Sequence, residues 1–166
     1  MVATSVGWHE LGYHDGGVML HSAGPESMYL LNWEQFTRYW ENIGAALRAM
    51  DFYDYYTDEW LFNGVYTNQV QVFVLTDGAI RIVLFTQLLE YPKCKVLRLF
   101  WGYGCEIERF LKLINERLDD VARIYGATRI EVCGRPGWYR LLRRHIPEAK
   151  EGWCTVWRNV KTERVH

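Results

Sequence analysis

Two glycines, Gly102 and Gly104, separate an apolar run from the longest amphipathic stretch of the chain. A strand, a glycine turn and a helix start in that order make an anion site. The first helical N–H groups lack internal acceptors, the helix dipole favours negative charge there, and glycine lets a phosphate approach the backbone. Cys105 shares the turn, where a helix start lowers a thiol pKa. No histidine lies near it in sequence, so no nucleophile–base pair is read there. Glu90, beside Tyr91-Pro92, reads as a solvated turn carboxylate, with a base acting through water as the alternative. Tyr139 is either a proton donor or a packing residue. His9, His14 and His21 with Glu10 and Asp15 match neither a helix face nor a zinc-finger spacing, so no metal is expected. The serines, Ser5, Ser22 and Ser27, lie outside any G-x-S-x-G elbow, which excludes a serine hydrolase of that kind. No residue stands out as a catalyst, and the catalytic set is left unknown.

These groups need elements to hold them. Lys95 to Trp101 alternates as a strand, and Ile107, Phe110, Leu111, Ile114, Leu118, Val121, Ala122 and Tyr125 recur at helical spacing, with Gly126 as the stop. Before them, Val70, Val72 and Val74 alternate along one strand and Ile80, Ile82 and Leu84 along the next. Thr76-Asp77-Gly78 is the hairpin turn between them. Tyr91-Pro92-Lys93 is a second turn. Further upstream, Met28 to Leu31 is a short strand, and Asn32 and Gln35 form a capping box opening a helix to Met50. A shorter helix runs from Thr57 to Phe62, with Asn63-Gly64 as its stop. After the long helix come a strand over Thr128 to Cys133, a short helix from Trp138 to Arg144 and a strand from Trp153 to Val160. Residues 1–28 read as an N-terminal extension with a strand or two, Val18-Met19-Leu20 among them, and 29–166 as the folded domain.

Composition fits this reading. The 166 residues are 49% hydrophobic and 16% aromatic, which suits a folded core and excludes disorder. Net charge is −1, yet residues 134–166 hold eight Lys/Arg against three acids, leaving about −6 on the rest by subtraction. Arg135, Arg140, Arg143 and Arg144 with Trp138 and Tyr139 mix cations and aromatics, but without a recognised motif no nucleic-acid partner is expected. Cys94, Cys105, Cys133 and Cys154 have no tight spacing and read as reduced thiols. No apolar run is long enough to span a membrane, and no secretory leader is expected.

An antiparallel meander, a strand, a glycine turn, a long helix, a strand, a short helix and a strand follow one another. With Glu90-Tyr91-Pro92, Gly102-x-Gly104, Gly126-Ala127-Thr128-Arg129-Ile130-Glu131 and Gly134-Arg135-Pro136-Gly137-Trp138, this order resembles the GNAT superfamily of acyl-CoA N-acyltransferases. Within it, the chain is similar to the small GNAT-like proteins of tailed bacteriophages. The resemblance implies an α+β fold, a single domain with a mixed, mostly antiparallel twisted sheet and helices on both faces. It implies acetyl-CoA as cofactor, with Leu99, Phe100 and Trp101 meeting pantetheine and the N–H groups of Gly102, Tyr103, Gly104 and Cys105 meeting phosphate. It further implies a site in the host cytoplasm or the virion.

Two positions depart from the family pattern. Leu99 stands where the phosphate loop usually has Gln or Arg, and Arg98 is one place off, on the opposite face of a strand. Leu142 stands where a tyrosine usually protonates the leaving thiolate. Two functions follow: an N-acetyltransferase taking acetyl-CoA and an amine, or a non-catalytic virion or assembly component working through contacts with phage or host proteins. The first expects an open cleft lined by Phe100 to Gly104; the second expects it filled by Trp101, Tyr103 or the N-terminal extension.

Overall fold

The structure is a computed structural model, and it describes residues 18–20, 26–49, 51–77, 80–134, 137–151 and 155–160. The described strands are β1 (Val18–Leu20), β2 (Ser27–Leu30), β3 (Val70–Thr76), β4 (Ile80–Tyr91), β5 (Cys94–Gly104), β6 (Arg129–Cys133), β7 (Lys150–Glu151) and β8 (Thr155–Asn159). They form one sheet in the order β1-β2-β3-β4-β5-β6-β8-β7. Every pairing is antiparallel except β5 with β6, which is parallel and bridged by a helix, as a parallel pair requires.

Helices cover both faces. On one lie α1 (Trp33–Arg38), α2 (Trp40–Arg48), a 3₁₀ turn (Asp51–Asp54) and α3 (Asp58–Tyr66). Their buried Phe36, Ile43, Leu47, Phe52 and Leu61 pack on Val72, Val74, Val83 and Phe85. On the other lie α4 (Ile107–Ile124) and α5 (Gly137–His145). Phe110, Leu111, Ile114, Leu118, Val121 and Ala122 of α4 pack there on Leu84, Leu97, Leu99 and Ile130. With both faces covered, β3 is buried along its whole length rather than on alternate residues. Buried Gln71 is satisfied by the Thr86 hydroxyl, which donates to its Oε1 at 2.8 Å.

Local signals explain several boundaries. Asn32 accepts from the Gln35 N–H at 2.8 Å while Gln35 Oε1 accepts from the Asn32 N–H at 3.0 Å, closing the capping box. At the far end of α4, Gly126 takes φ 69°, the Ala127 N–H bonds Ala122 O at 2.7 Å and the Gly126 N–H bonds Arg123 O at 3.1 Å. That is a Schellman stop, which needs a residue tolerant of positive φ.

Four sequence expectations need correcting. The helix from Asn32 toward Met50 is broken at Tyr39 (φ −95°, ψ 7°) into α1 and α2. Residue 50 lies outside the described residues. The Thr57-capped helix runs through Asn63-Gly64 to Tyr66, because Gly64 faces Val70, where a Cβ would come within 2.6 Å of Cγ2. The glycine there serves close packing rather than termination. The strand ending at Trp101 continues to Gly104, since Gly102 pairs with Leu84 and Gly104 with Ile82. A short strand, β7, precedes the last one. Gly78 of the hairpin turn, His9, His14, His21, Arg135, Pro136, Trp153 and Cys154 lie outside the described residues.

Candidate functional site

The ladder between β5 and β6 is short. It pairs Val96 with Arg129, Leu97 with Ile130, Arg98 with Glu131 and Leu99 with Val132, and goes no further. Past Leu99, β5 runs on to Gly104 bonded to β4, while β6 ends at Cys133. The edge of β5 from Phe100 to Gly104 therefore opens as one limb of a fork.

A bulge decides which side chains face which way. Phe85 pairs with Trp101 and Thr86 with Leu99, leaving Phe100 as the extra residue. Phe100 and Trp101 consequently both join the core under α1–α3, while Leu99 joins the core under α4. Beyond them, Gly102 and Gly104 pair with Leu84 and Ile82, both in the α4-side core. The α4 side of the fork is thus bordered by two residues without side chains. Both are exposed, and a Cβ on Gly104 (φ 147°) would lie 2.2 Å from Arg81 O.

Main-chain donors divide along the same edge. The Cys105 N–H donates to Arg81 O at 3.2 Å, so this amide, expected at a phosphate, is committed to strand pairing. Alternation in an antiparallel ladder then points the Tyr103 amide at β4 and the Gly102 and Gly104 amides into the fork. At the start of α4, Glu106 takes a left-handed conformation (φ 56°, ψ 31°) and makes no side-chain cap. The N–H groups of Ile107 and Glu108 have no acceptor within the helix.

Charge around this helix start is held in pairs. Arg109 reaches Glu26 Oε1 at 2.7 Å, Asp77 Oδ2 at 3.0 Å and Glu106 Oε2 at 3.8 Å. Arg81 reaches Asp77 Oδ1 at 2.8 Å. The Arg81 hydrogen bond is the main reason the Asp77 carboxyl titrates below its ordinary range; Arg109 adds to it. His145 of α5 lies 3.4 Å from Glu108.

Below the fork, on the α4 side, sits a cavity of about 40 Å³, room for roughly three waters. Leu99, Val132, Ile107, Leu111, Trp138 and Leu142 help line it, and the lining is apolar apart from Asn115. Leu142 is buried against this space. Tyr139 instead takes a hydrogen bond from Arg143 Nη1 at 3.3 Å. Trp138 packs on Gly134, whose added Cβ would meet its ring at 2.4 Å. Gly134 and Trp138 therefore pack directly against each other.

The opposite face of the fork is aromatic and charged. Tyr56 lies with its ring 5.4 Å from Phe100 and 4.5 Å from Trp60, and Trp101 packs 5.4 Å from Phe52. Trp101 and Tyr103 do not line the cavity. Among the described residues the buried Trp101 Nε1 has no hydrogen-bond partner. Arg98 donates from Nε (3.1 Å) and Nη2 (2.8 Å) to Glu131 Oε2, and from Nη2 to the Tyr91 hydroxyl at 3.2 Å. Sequence reasoning missed Tyr56 and Glu131, whose only signal was their residue type. Glu90 is exposed and paired with Lys95 at 2.9 Å, as a turn carboxylate. Among the described residues no group of His, Cys, Asp and Glu is placed to hold a metal, and no helix is long and apolar enough to cross a membrane.

Solved structures with the same architecture exist. A probable acetyltransferase from Staphylococcus epidermidis superposes with a TM-score of 0.59 at 11% identity, over 82% of this chain and 99% of that one. An aminoglycoside acetyltransferase from an uncultured soil metagenomic sample, in complex with trehalose, superposes at 0.56 and 14% identity, over 77% and 91%. The same enzyme in complex with sisomicin gives 0.55 at 13% identity. The chain has the GNAT acetyltransferase fold. No family model and no curated protein matches the sequence. The GNAT fold is therefore recognised here through the order and pairing of its strands and not through sequence identity.

Proposed function

We infer that the chain is an acetyl-CoA-dependent N-acetyltransferase of the GNAT type, of the small form found in tailed phages, acting on an amine in the host cytoplasm. The observation that carries this reading is the fork past Leu99 and Val132, with Gly102 and Gly104 on its α4 side. The residues fit the cofactor: the two glycines leave space along a strand edge whose amides are free to pair with an extended amide-bearing arm. Leu99, Phe100, Trp101, Gly102, Tyr103 and Gly104 would border pantetheine. The amides of Gly104, Ile107 and Glu108 would meet the diphosphate, with Cys105 contributing its position rather than its committed N–H. Acetyl-CoA supplies an activated thioester. Gly102 and Gly104 would leave room for the arm along the fork, and the apolar Leu99, Val132 and Leu142 would exclude water beside it. An amine acceptor, the group also offered by the sisomicin bound to the soil enzyme, would approach from the α1–α3 face.

Calorimetric titration with acetyl-CoA, followed by a CoA-release assay over a panel of amines, tests this. Binding should be lost in Gly102→Asp, whose side chain would stand in the track of the pantetheine arm; the glycine's φ is ordinary, and the added Cβ would press only on the Leu84 side chain, at 3.0 Å from Cδ2. Unchanged binding in that variant, or none in the wild type, contradicts the reading.

A second reading, a non-catalytic GNAT-fold component of a phage particle or its assembly, is favoured by Leu142 and by the acids Asp77, Glu106 and Glu108 near the helix start. It expects no CoA release with any amine and co-purification with virions.

A further inference from the structure

The cavity on the α4 side begins where the pantetheine arm would end. Leu99 and Gly104 are five residues apart on β5, about 16 Å, a span close to that of an extended pantetheine arm. A diphosphate at Gly104 and the α4 start therefore brings the thioester to the apex, where Leu99 and Val132 form the last pair. Those two side chains also line the cavity, and the lining runs on away from the fork. It includes Ile130, whose partner Leu97 precedes Leu99 on β5. It also includes positions of α4 from Ile107 to Leu118, about three turns apart.

The chemistry of this space is that of a hydrocarbon chain. Eleven of the twelve residues around it are apolar, Leu111 of α4 and Leu142 of α5 among them. Water finds few hydrogen-bond partners there, and the walls lack the contacts that close packing supplies. An acetyl group ends at the apex and leaves the space empty. A methylene takes up about the volume of one water, so a cavity of about 40 Å³ holds roughly three carbons beyond the acetyl methyl.

We propose that this cavity is an acyl-chain pocket, and that the chain takes short fatty acyl-CoA donors, of about four to six carbons, in preference to acetyl-CoA. The proposal rests on the cofactor reading above and extends its donor. The acceptor nitrogen forms a bond to the thioester carbonyl carbon at the apex, and the C–S bond breaks with its electron pair going to sulfur. The proton shed by the nitrogen passes through water to sulfur. Products are the N-acyl amide and CoA thiol. The hydrocarbon tail lies between α4 and α5 throughout, away from the α1–α3 face by which the amine approaches.

The test is a calorimetric series with acetyl-, butanoyl-, pentanoyl- and octanoyl-CoA. Affinity should rise about fourfold for each methylene buried, or about 60-fold from acetyl to pentanoyl, and fall again at octanoyl, which overfills the space. Ala149→Leu adds three carbons to the lining and should leave pentanoyl-CoA no tighter than acetyl-CoA. Leu118→Ala, at the far end of the α4 lining, should move the tightest donor from pentanoyl toward octanoyl, and it decides the matter where Ala149→Leu does not fold. Acetyl-CoA bound as tightly as the longer donors would overturn the pocket while leaving the cofactor reading intact. So would a rise that continues undiminished through octanoyl, or a length profile unchanged in the folded variants. A wild-type protein that binds no donor would overturn the cofactor reading, and the acyl pocket with it.

Discussion

Leu99 and Val132 are the last partners of the parallel ladder, and β5 continues to Gly104 after β6 has ended. The separation follows from the register of β5 on β4. Phe100 is bulged out of that ladder, both it and Trp101 turn to the α1–α3 core, and only glycines remain on the α4 side. Bulge, glycines and fork form one device.

Gly104 and Gly126, the positive-φ glycines among the described residues, differ in what surrounds them, and their substitution should differ accordingly. Gly126→Ala meets nothing within 4 Å and bears only the left-handed conformation, about 1 kcal/mol. Gly104→Ala adds a Cβ 2.2 Å from Arg81 O, so urea denaturation should show a loss of about 3 kcal/mol or more. Equal losses would mean that the close approach at Gly104 is absent.

Arg98 and Lys95 lie on the same strand and hold carboxylates of opposite character. Glu131 has a side chain 10% exposed, whereas Glu90 is 76% exposed. Arg98→Ala leaves the buried Glu131 carboxylate only its 3.9 Å contact with Arg129 and should cost about 2 kcal/mol; Lys95→Ala should cost less than about 0.5 kcal/mol. Chemical denaturation of both variants checks the contrast.

Stability should decline in acid partly through Asp77. Hydrogen bonds from Arg81 and Arg109 hold its folded-state pKa below the ordinary 3.8. The unfolded chain therefore takes up the proton first as pH falls. The contribution is complete above the unfolded pKa and is lost as pH drops through the folded one. Between pH 5 and pH 2, Asp77→Asn should show a shallower fall in melting temperature than the wild type. Parallel curves would remove Asp77 as a titrating anchor of the α4 start.

Much of the fold was legible in residue order because the signals were local. The Asn32–Gln35 box, the α4 stripe and the Gly126 stop each depend on neighbours within a few positions. The meander followed from alternation, while the mixed sheet was what the resemblance carried by the element order implied. The fork was less so. Read by strict alternation, Phe100 and Trp101 face opposite sides; the bulge that puts them together depends on β4's register. Gly102 and Gly104 looked like a turn because glycine weakens a strand, yet pairing with Leu84 and Ile82 carries the strand through them. The ties from Arg98 to Glu131 and from Arg109 to Glu26 join residues 33 and 83 positions apart, beyond any local pattern.

The most direct test is amide and methyl chemical-shift mapping of the protein titrated with acetyl-CoA. The expected result is saturable change at the amides of Gly102, Gly104, Ile107 and Glu108 and at the methyls of Leu99, Val132 and Leu142. A flat response at millimolar acetyl-CoA, or changes confined to residues outside the fork, would contradict the account.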